Sequence, residues 1–214
     1  MQARGCNVSM PNKTVIHKYL DKLTPAAELA WAVNTVINDD GVLTVHITDG
    51  VGYMRSLKDA GFDVIDKKMT IVWAGGVAIC IQAALDGVAE LSIFNQDDEF
   101  FARAEETVKK INEKTNCKAK LFRLEDKEAL RAEIVDSVIF TNGTGMGMKP
   151  YAGQTYIEKD MLRPDLIVSD VVYQPAKTRL LELAEEVGCP TINGLGMMLF
   201  QGAEAFKAGQ DKKC

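Results

Sequence analysis

The sequence predicts an α/β protein in which a doubly wound parallel sheet follows a smaller α/β segment of different pattern. Three observations carry this. From Lys68 onward, short apolar runs alternate with amphipathic helical stretches, the pattern of βαβ units. Gly75-Gly76 stands between the first such strand and its helix. The 214 residues, 26% charged and 47% hydrophobic, have the composition of a globular chain long enough for one large domain or two small ones.

In the first segment Cys6–Ser9 is a short strand candidate. Pro11 stands where a helix N1 proline would, ahead of a helix over Asn12–Leu20. Thr24-Pro25 repeats that start signal before Ala26–Ala32. Val33–Ile37 and Val42–Ile47 flank Asn38-Asp39-Asp40-Gly41, in which Asp-Gly marks a hairpin turn. Tyr53–Ala60 is helical and ends at Gly61, a C′ candidate. The polar connector Phe62–Lys67 divides the chain into domains 1–65 and 66–214.

Beyond it the predicted strands are Met69–Trp73, Glu90–Phe94, Lys118–Phe122, Val138–Thr141, Leu166–Val172 and Thr191–Asn193. The predicted helices are Gly76–Leu85, Glu99–Lys114, Lys127–Val135, Lys177–Val187 and Leu195–Ala208. Glu99–Lys114 sets Phe100, Ala104, Thr107, Val108 and Ile111 on one side and charge on the other, as a helix covering a sheet face requires.

Charge and cysteine usage exclude several classes. With 25 Lys+Arg against 30 Asp+Glu the net charge is −5, which argues against a nucleic-acid partner. The five cysteines (Cys6, Cys80, Cys117, Cys189, Cys214) have no CxxC spacing, and an odd count does not close into a disulfide framework, so a reducing cytoplasm is expected. The N-terminus carries no apolar signal region. Met69 to Leu85 runs without a charge for about the shortest length that spans a bilayer. Its β-branched start, its glycine pair and Gln82 predict strand, turn and buried helix, so no membrane association is expected. The only histidines, His17 and His46, have no metal-ligand spacing and read as structural, and no metal is expected. Met146, Met148, Met197 and Met198 read as core or pocket packing.

Trp73-Ala74-Gly75-Gly76-Val77-Ala78 lies where backbone N–H groups at a helix start can hold a pyrophosphate, and glycine lets the phosphates approach. Taken alone, the glycine pair reads equally as a tight βα turn. Asn95-Gln96-Asp97-Asp98 follows the next strand about twenty residues on, where an acidic side chain meets the ribose 2′-hydroxyl of a dinucleotide. A 2′-phosphate needs a cationic partner there, and residues 95–98 contain neither Arg nor Lys, so NAD is expected over NADP.

Lys13 and Asp49 each lie at the junction of a short element and a loop. A Lys beside a carboxylate can move a proton at a carbonyl or hydroxyl carbon, although by spacing alone both read as solvated surface groups. Asn7, Ser9, Asn34, Thr35 and Thr48 are nearby polar positions suited to a polyhydroxylated substrate, or to turns and caps.

Several motifs occur together and in order: Asn7-Val8-Ser9-Met10-Pro11-Asn12-Lys13, Ala32-Val33-Asn34-Thr35, Thr48-Asp49-Gly50, Ala74-Gly75-Gly76 and Ile93-Phe94-Asn95. They continue through Thr141-Asn142-Gly143-Thr144-Gly145-Met146-Gly147-Met148, Asp170-Val171-Val172-Tyr173, Asn193-Gly194-Leu195-Gly196-Met197 and Gln201-Gly202-Ala203. Across nearly its whole length the chain resembles the shikimate/quinate dehydrogenase family. The resemblance implies a partial substrate-binding domain, then a Rossmann-type sheet whose closing segment, 194–214, returns toward the first domain. It also implies reversible hydride transfer between NAD or NADP and shikimate or quinate, within aromatic amino-acid biosynthesis.

By the same resemblance Lys13 and Asp49 are catalytic, and Ser9, Asn34, Tyr173 and Gln201 bind substrate. Ala74, Gly75, Gly76, Val77, Asn95, Gln96, Asp97, Val171 and Gly194 face the cofactor. The chain departs from the family in lacking its opening strands, a serine pair and the last helix. Trp73 stands for a glycine, the stretch after Gly76 is shortened, and Gln96 stands where Arg is frequent. The expectation is a truncated member whose exposed sheet edge and core invite instability or association, with a homodimer as the oligomer expected. The alternative is an inactive NAD(P)-binding remnant with a binding or regulatory role.

Overall fold

A computed structural model of the chain describes residues 3–9, 12, 16–30, 33–73, 77–98 and 101–210. The first segment contains β1 (Gly5–Asn7), a 3-10 turn (Ile16–Tyr19), β2 (Lys22–Leu23), α1 (Pro25–Ala30), β3 (Thr35–Asp39), β4 (Val42–His46) and α2 (Asp49–Asp59). Its strands form a four-stranded sheet in the order β1-β3-β4-β2, antiparallel except where β2 runs with β4.

The hairpin forms at the predicted turn. Asp39 faces Val42, which leaves Asp40-Gly41 as a two-residue loop with φ +50° and +95°. Positive φ at both central positions matches the right-handed twist of the strands, and Asn38 Oδ1 accepts from the Gly41 N–H at 2.8 Å.

Two elements differ from expectation. Of the helix predicted over Asn12–Leu20, residues 13–15 lie outside the described residues, and Ile16–Tyr19 form a 3-10 turn rather than an α-helix. Helix α2 starts at Asp49 rather than Tyr53 and takes Gly50 and Gly52 into its first turns. Those glycines lower local propensity, but they let α2 close on its neighbours. A Cβ on Gly50 would lie 2.2 Å from Ala78 O, and one on Gly52 2.5 Å from Gln201 N. Tertiary contact therefore overrides propensity.

The second segment runs β5 (Lys68–Trp73), α3 (Val77–Asp86), β6 (Glu90–Asn95), α4 (Phe101–Lys114), β7 (Lys118–Arg123), α5 (Lys127–Val135) and β8 (Ile139–Gly143). A 3-10 turn (Lys159–Met161), β9 (Ile167–Asp170), α6 (Arg179–Val187), β10 (Thr191–Ile192) and α7 (Leu195–Gln210) complete it. All six predicted strands form, in one parallel sheet of order β10-β9-β8-β5-β6-β7. The chain winds outward from β5 through β6 to β7, then returns to β8 beside β5 and continues the other way. The direction of winding reverses between β5 and β8. Local sequence sets the helix ends: Asp126 accepts from the Ala129 N–H at the start of α5, and Gly188 closes α6 in the left-handed region.

Both faces of this sheet are buried, as a parallel sheet requires. Val72, Phe94, Phe140 and Val168 pack with Leu130, Ile134, Leu180 and Leu181 on one side. On the other, Met69, Ile71, Leu91 and Ile93 share a single cluster with Ile79, Ile111 and first-segment residues including Val8, Val33, Val45, Tyr53 and Leu57. The uncharged stretch Met69 to Leu85 supplies β5 and most of α3. Among the described residues no helix is long and apolar enough to cross a membrane. Helix α7 lies along α2, and Arg55 of α2 pairs with Glu204 of α7.

Candidate active site

Parallel α/β sheets bind ligands outside the carboxyl ends of their strands, at the point where the winding reverses. Here that edge faces the first segment. A cleft of about 320 Å³ is lined by Asn7, Val8, Ser9, Asn34 and Asp49 from one side and by Val171, Tyr173, Gly194, Met197, Met198 and Gln201 from the other. A second cavity of about 770 Å³ shares Val171 and Tyr173 with it and continues along Thr144, Gly145, Met148 and Lys149. The first suits a small polar molecule and the second an extended one.

Asp49, the first residue of α2, is held in place by Asn34. Asn34 Nδ2 donates to Asp49 Oδ1 at 2.9 Å and to Thr48 Oγ1 at 3.0 Å. Its Oδ1 accepts from the Thr48 N–H at 3.0 Å and from Thr35 Oγ1 at 3.1 Å. Asn34 is buried and both of its amide hydrogens point at α2. Its polar capacity thus goes largely to setting the position of Asp49.

On the opposite wall, buried Asp170 orders the Val171–Tyr173 loop. Its Oδ1 accepts from the Val172 N–H and from Asn142 Nδ2, each at 2.9 Å, and its Oδ2 accepts from Thr178 Oγ1 at 2.6 Å. Burial pushes its carboxyl above the usual range, against those hydrogen bonds. Gly194 sits directly against this loop: a Cβ there would lie 2.0 Å from Val171 O. The close approach requires glycine.

The predicted site residues fall as follows. Ser9, Asn34, Asp49, Tyr173, Gln201, Val171 and Gly194 all line the first cleft. Gln201 Nε2 donates to Met198 O at 3.2 Å. Lys13, Ala74, Gly75 and Gly76 lie outside the described residues, and Val77 opens α3. Asn95 ends β6, buried, with Nδ2 donating to Gln96 O at 3.0 Å, while Gln96 and Asp97 are exposed beyond it. Trp73, at the end of β5, is buried, and its indole Nε1–H has no partner among the described residues. The buried donor at the end of β5, the larger cavity and the close-packed Gly194 are compatible with a dinucleotide along this edge.

Sequence reasoning missed two participants. Asp170 belongs to the motif Asp170-Val171-Val172-Tyr173, and its part in ordering that loop emerges only in the structure. Its signal is that it is the one charged residue in the predicted strand Leu166–Val172. Arg123 stands 26 residues from Asp97 in the chain, and no local pattern marks it. Residues 95–98 contain no cation, but the neighbouring strand supplies one: Arg123 Nε donates to Asp97 Oδ2 at 2.8 Å from the end of β7. Among the described residues no cluster of His, Cys, Asp and Glu could hold a metal ion.

Comparison with known proteins places these features in context. The family model for the shikimate dehydrogenase substrate binding domain matches residues 1–36. A shikimate dehydrogenase (NADP(+)) from Listeria innocua is 71% identical over 100% of this chain and 74% of its own length. Among solved structures, shikimate 5-dehydrogenase from Listeria monocytogenes in complex with shikimate and NAD is 71% identical. It superposes with a TM-score of 0.93 over 95% of this chain and 72% of that one. Quinate dehydrogenase from Corynebacterium glutamicum in complex with NAD is 29% identical, with a TM-score of 0.86 over 97% of this chain and 72% of that one.

Proposed function

The chain belongs to the shikimate dehydrogenase family, and from that premise we propose the reaction and the residues that carry it. It is an oxidoreductase that transfers hydride reversibly between NAD(P)(H) and 3-dehydroshikimate/shikimate, with 3-dehydroquinate/quinate as the second substrate pair. The inactive-remnant alternative is not favoured, because the relatives at 71% identity are named as dehydrogenases.

A nicotinamide held at this edge would supply or take up the hydride at the substrate carbon. The protein handles the proton. Lys13 and Asp49 exchange it with the substrate oxygen and offset the charge that develops there as the C–H bond forms or breaks. Ser9, Tyr173 and Gln201 bind the substrate hydroxyl and carboxylate groups, and Asn34 acts beside them by fixing Asp49. Val171 and Gly194 would line the nicotinamide, and Ala74, Gly75, Gly76 and Val77 are the residues we assign to the pyrophosphate. Asn95, Gln96 and Asp97 meet the adenosine. The carboxylate of Asp97 suits the free ribose hydroxyls of NAD, which supports NAD as the preferred cofactor. We assign residues 1–65 to the substrate side and 66–214 to the cofactor side, with a homodimer in a reducing cytoplasm.

The observation that carries this reading is the placement of Asp49, held by Asn34 in a cleft whose far wall is the Val171–Tyr173 loop. The test is absorbance of reduced nicotinamide with shikimate and with quinate, each with NAD and with NADP. Turnover in any combination supports the assignment, and none in all four removes it.

A further inference from the structure

We propose that a cavity beside helices α2 and α3, apart from the catalytic cleft, binds a free α-amino acid with an apolar side chain. Lys58 takes the ligand's carboxylate, Asp86 its ammonium, and an apolar floor its side chain.

The cavity has a volume of about 640 Å³, within the range that small ligands occupy. It shares no lining residue with the catalytic cleft or with the larger cavity next to that cleft. Helices α2 and α3 touch at Gly50, where a Cβ would lie 2.2 Å from Ala78 O and 2.6 Å from Gln82 Cβ. The cavity is lined by the part of α2 beyond that contact, by the connector 61–65 and by Asp86, the last residue of α3.

Its floor is apolar. Val51 and Met54 lie on the same face of α2 as Lys58, at helical spacing, and Phe62, Val64 and Ile65 come from the connector. Met54 and Val64 are buried, whereas Ile65 keeps 39% of its surface exposed. Apolar surface therefore remains for a ligand to take out of water.

The charges decide what else the ligand carries. Two of the charged lining residues are already committed. Arg55 pairs with Glu204, and its guanidinium carbon lies 4.8 Å from the centroid of the Phe200 ring. Asp63 accepts from the Ile65 N–H at 3.1 Å and pairs with Lys67 at 3.2 Å. Two groups remain open. Among the described residues the Lys58 ammonium has no partner, and Asp86 accepts only from Gln82 Nε2, at 2.8 Å through Oδ1.

One open cation on α2 and one open anion at the end of α3 fit a zwitterion. A simple carboxylate would meet Asp86 unfavourably, a simple amine would meet Lys58 unfavourably, and a neutral molecule would use neither. The flexible four-carbon stem of Lys58 lets its ammonium follow the ligand.

The test is calorimetry on the full chain with L-phenylalanine as the probe. The comparison ligands are 3-phenylpropionate, which lacks the ammonium, 2-phenylethylamine, which lacks the carboxylate, and glycine, which lacks the side chain. Contacts between exposed charges are modest, so L-phenylalanine is expected to bind about twofold to fivefold more tightly than either one-charge analogue. Glycine is expected not to bind measurably. Lys58→Ala should weaken L-phenylalanine by that factor and leave 2-phenylethylamine no weaker; Asp86→Asn should weaken L-phenylalanine and leave 3-phenylpropionate no weaker. Saturating shikimate and NAD should leave all these affinities unchanged, since the sites share no residue. Absence of L-phenylalanine binding, its displacement by shikimate or NAD, or equal losses for L-phenylalanine and 2-phenylethylamine in Lys58→Ala overturns the proposal. Both substituted residues lie outside the catalytic cleft, so the binding comparison decides this site whether or not the chain oxidises shikimate.

Discussion

The phenol oxygen of Tyr53 lies 2.6 Å from the hydroxyl of Thr141, joining helix α2 of the first segment to strand β8 across 88 positions of sequence. Both groups are buried. Burial pushes the Tyr53 phenol up to about 12, with the neighbouring hydroxyls opposing the shift. The bond ties the wall that carries Asp49 to the strand beside the point where the winding reverses.

Tyr53→Phe removes that bond and leaves Thr141 with one fewer partner, which is expected to cost about 1–2 kcal/mol in urea unfolding. The pH dependence follows with a definite sign. An unfolded tyrosine ionises near 10 and the folded one near 12, so this contribution is complete below about pH 10 and is lost as pH rises toward 12. The phenylalanine variant should lack that alkaline loss; an unchanged slope would place its origin elsewhere.

Asp49→Asn keeps the size of the side chain and removes its charge and basicity. Turnover with shikimate is expected to fall about a hundredfold to ten-thousandfold at nearly unchanged cofactor affinity, the usual worth of a general acid or base. Lys13→Ala should behave alike. Asn34→Ala leaves Asp49 in the sequence but frees its position, and should lower kcat with Asp49 intact. Unchanged turnover in the first two variants would remove the pair from the mechanism.

Asp170→Ala deletes the acceptor shared by Val172, Asn142 and Thr178. Leaving buried donors unpaired is expected to cost about 2–3 kcal/mol and to raise the substrate KM as the Val171–Tyr173 loop loosens. Asp170→Asn retains an oxygen for two of the three donors, and Thr178 can donate or accept, so it should cost less. Thermal denaturation of the two variants side by side provides the comparison.

Gly52→Ala sets a methyl group against Gln201 N at 2.5 Å and Met197 O at 2.8 Å. Backbone atoms in a second helix yield little, so a cost of about 1–3 kcal/mol is expected despite alanine's better helix propensity. Gly202, with nothing within 4 Å of its would-be Cβ, is the control: Gly202→Ala should be neutral or stabilising.

Much of the fold was legible because it is written locally. Apolar periodicity located all six strands of the parallel sheet within a few residues, and Asp40-Gly41 announced its hairpin by turn chemistry alone. The ends were less legible. Helix α2 begins at Asp49 because two glycines that weaken it locally are needed where it meets α3 and α7. Ile16–Tyr19, within the stretch that Pro11 suggested as a helix, form a 3-10 turn. For the site, Asp49 and Asn34 were each visible as polar residues near predicted elements, yet by spacing alone Asp49 reads as a solvated surface group and Asn34 as a substrate contact or a turn or cap residue.

The sequence by itself determined the α/β class, the family and the order of its motifs, since each depends on residues near one another in the chain. Only the tertiary structure decided which side chains meet: Asn34 with Asp49, Asp170 with the loop across the cleft, and Arg123 with Asp97. Parallel strands are hydrogen-bonded across helical crossovers, so the register that sets Arg123 beside Asn95 is fixed by packing on both faces of the sheet. Spacing along the chain carries no record of it. The absence of a cation in residues 95–98 was therefore a true statement about the sequence and an incomplete one about the site.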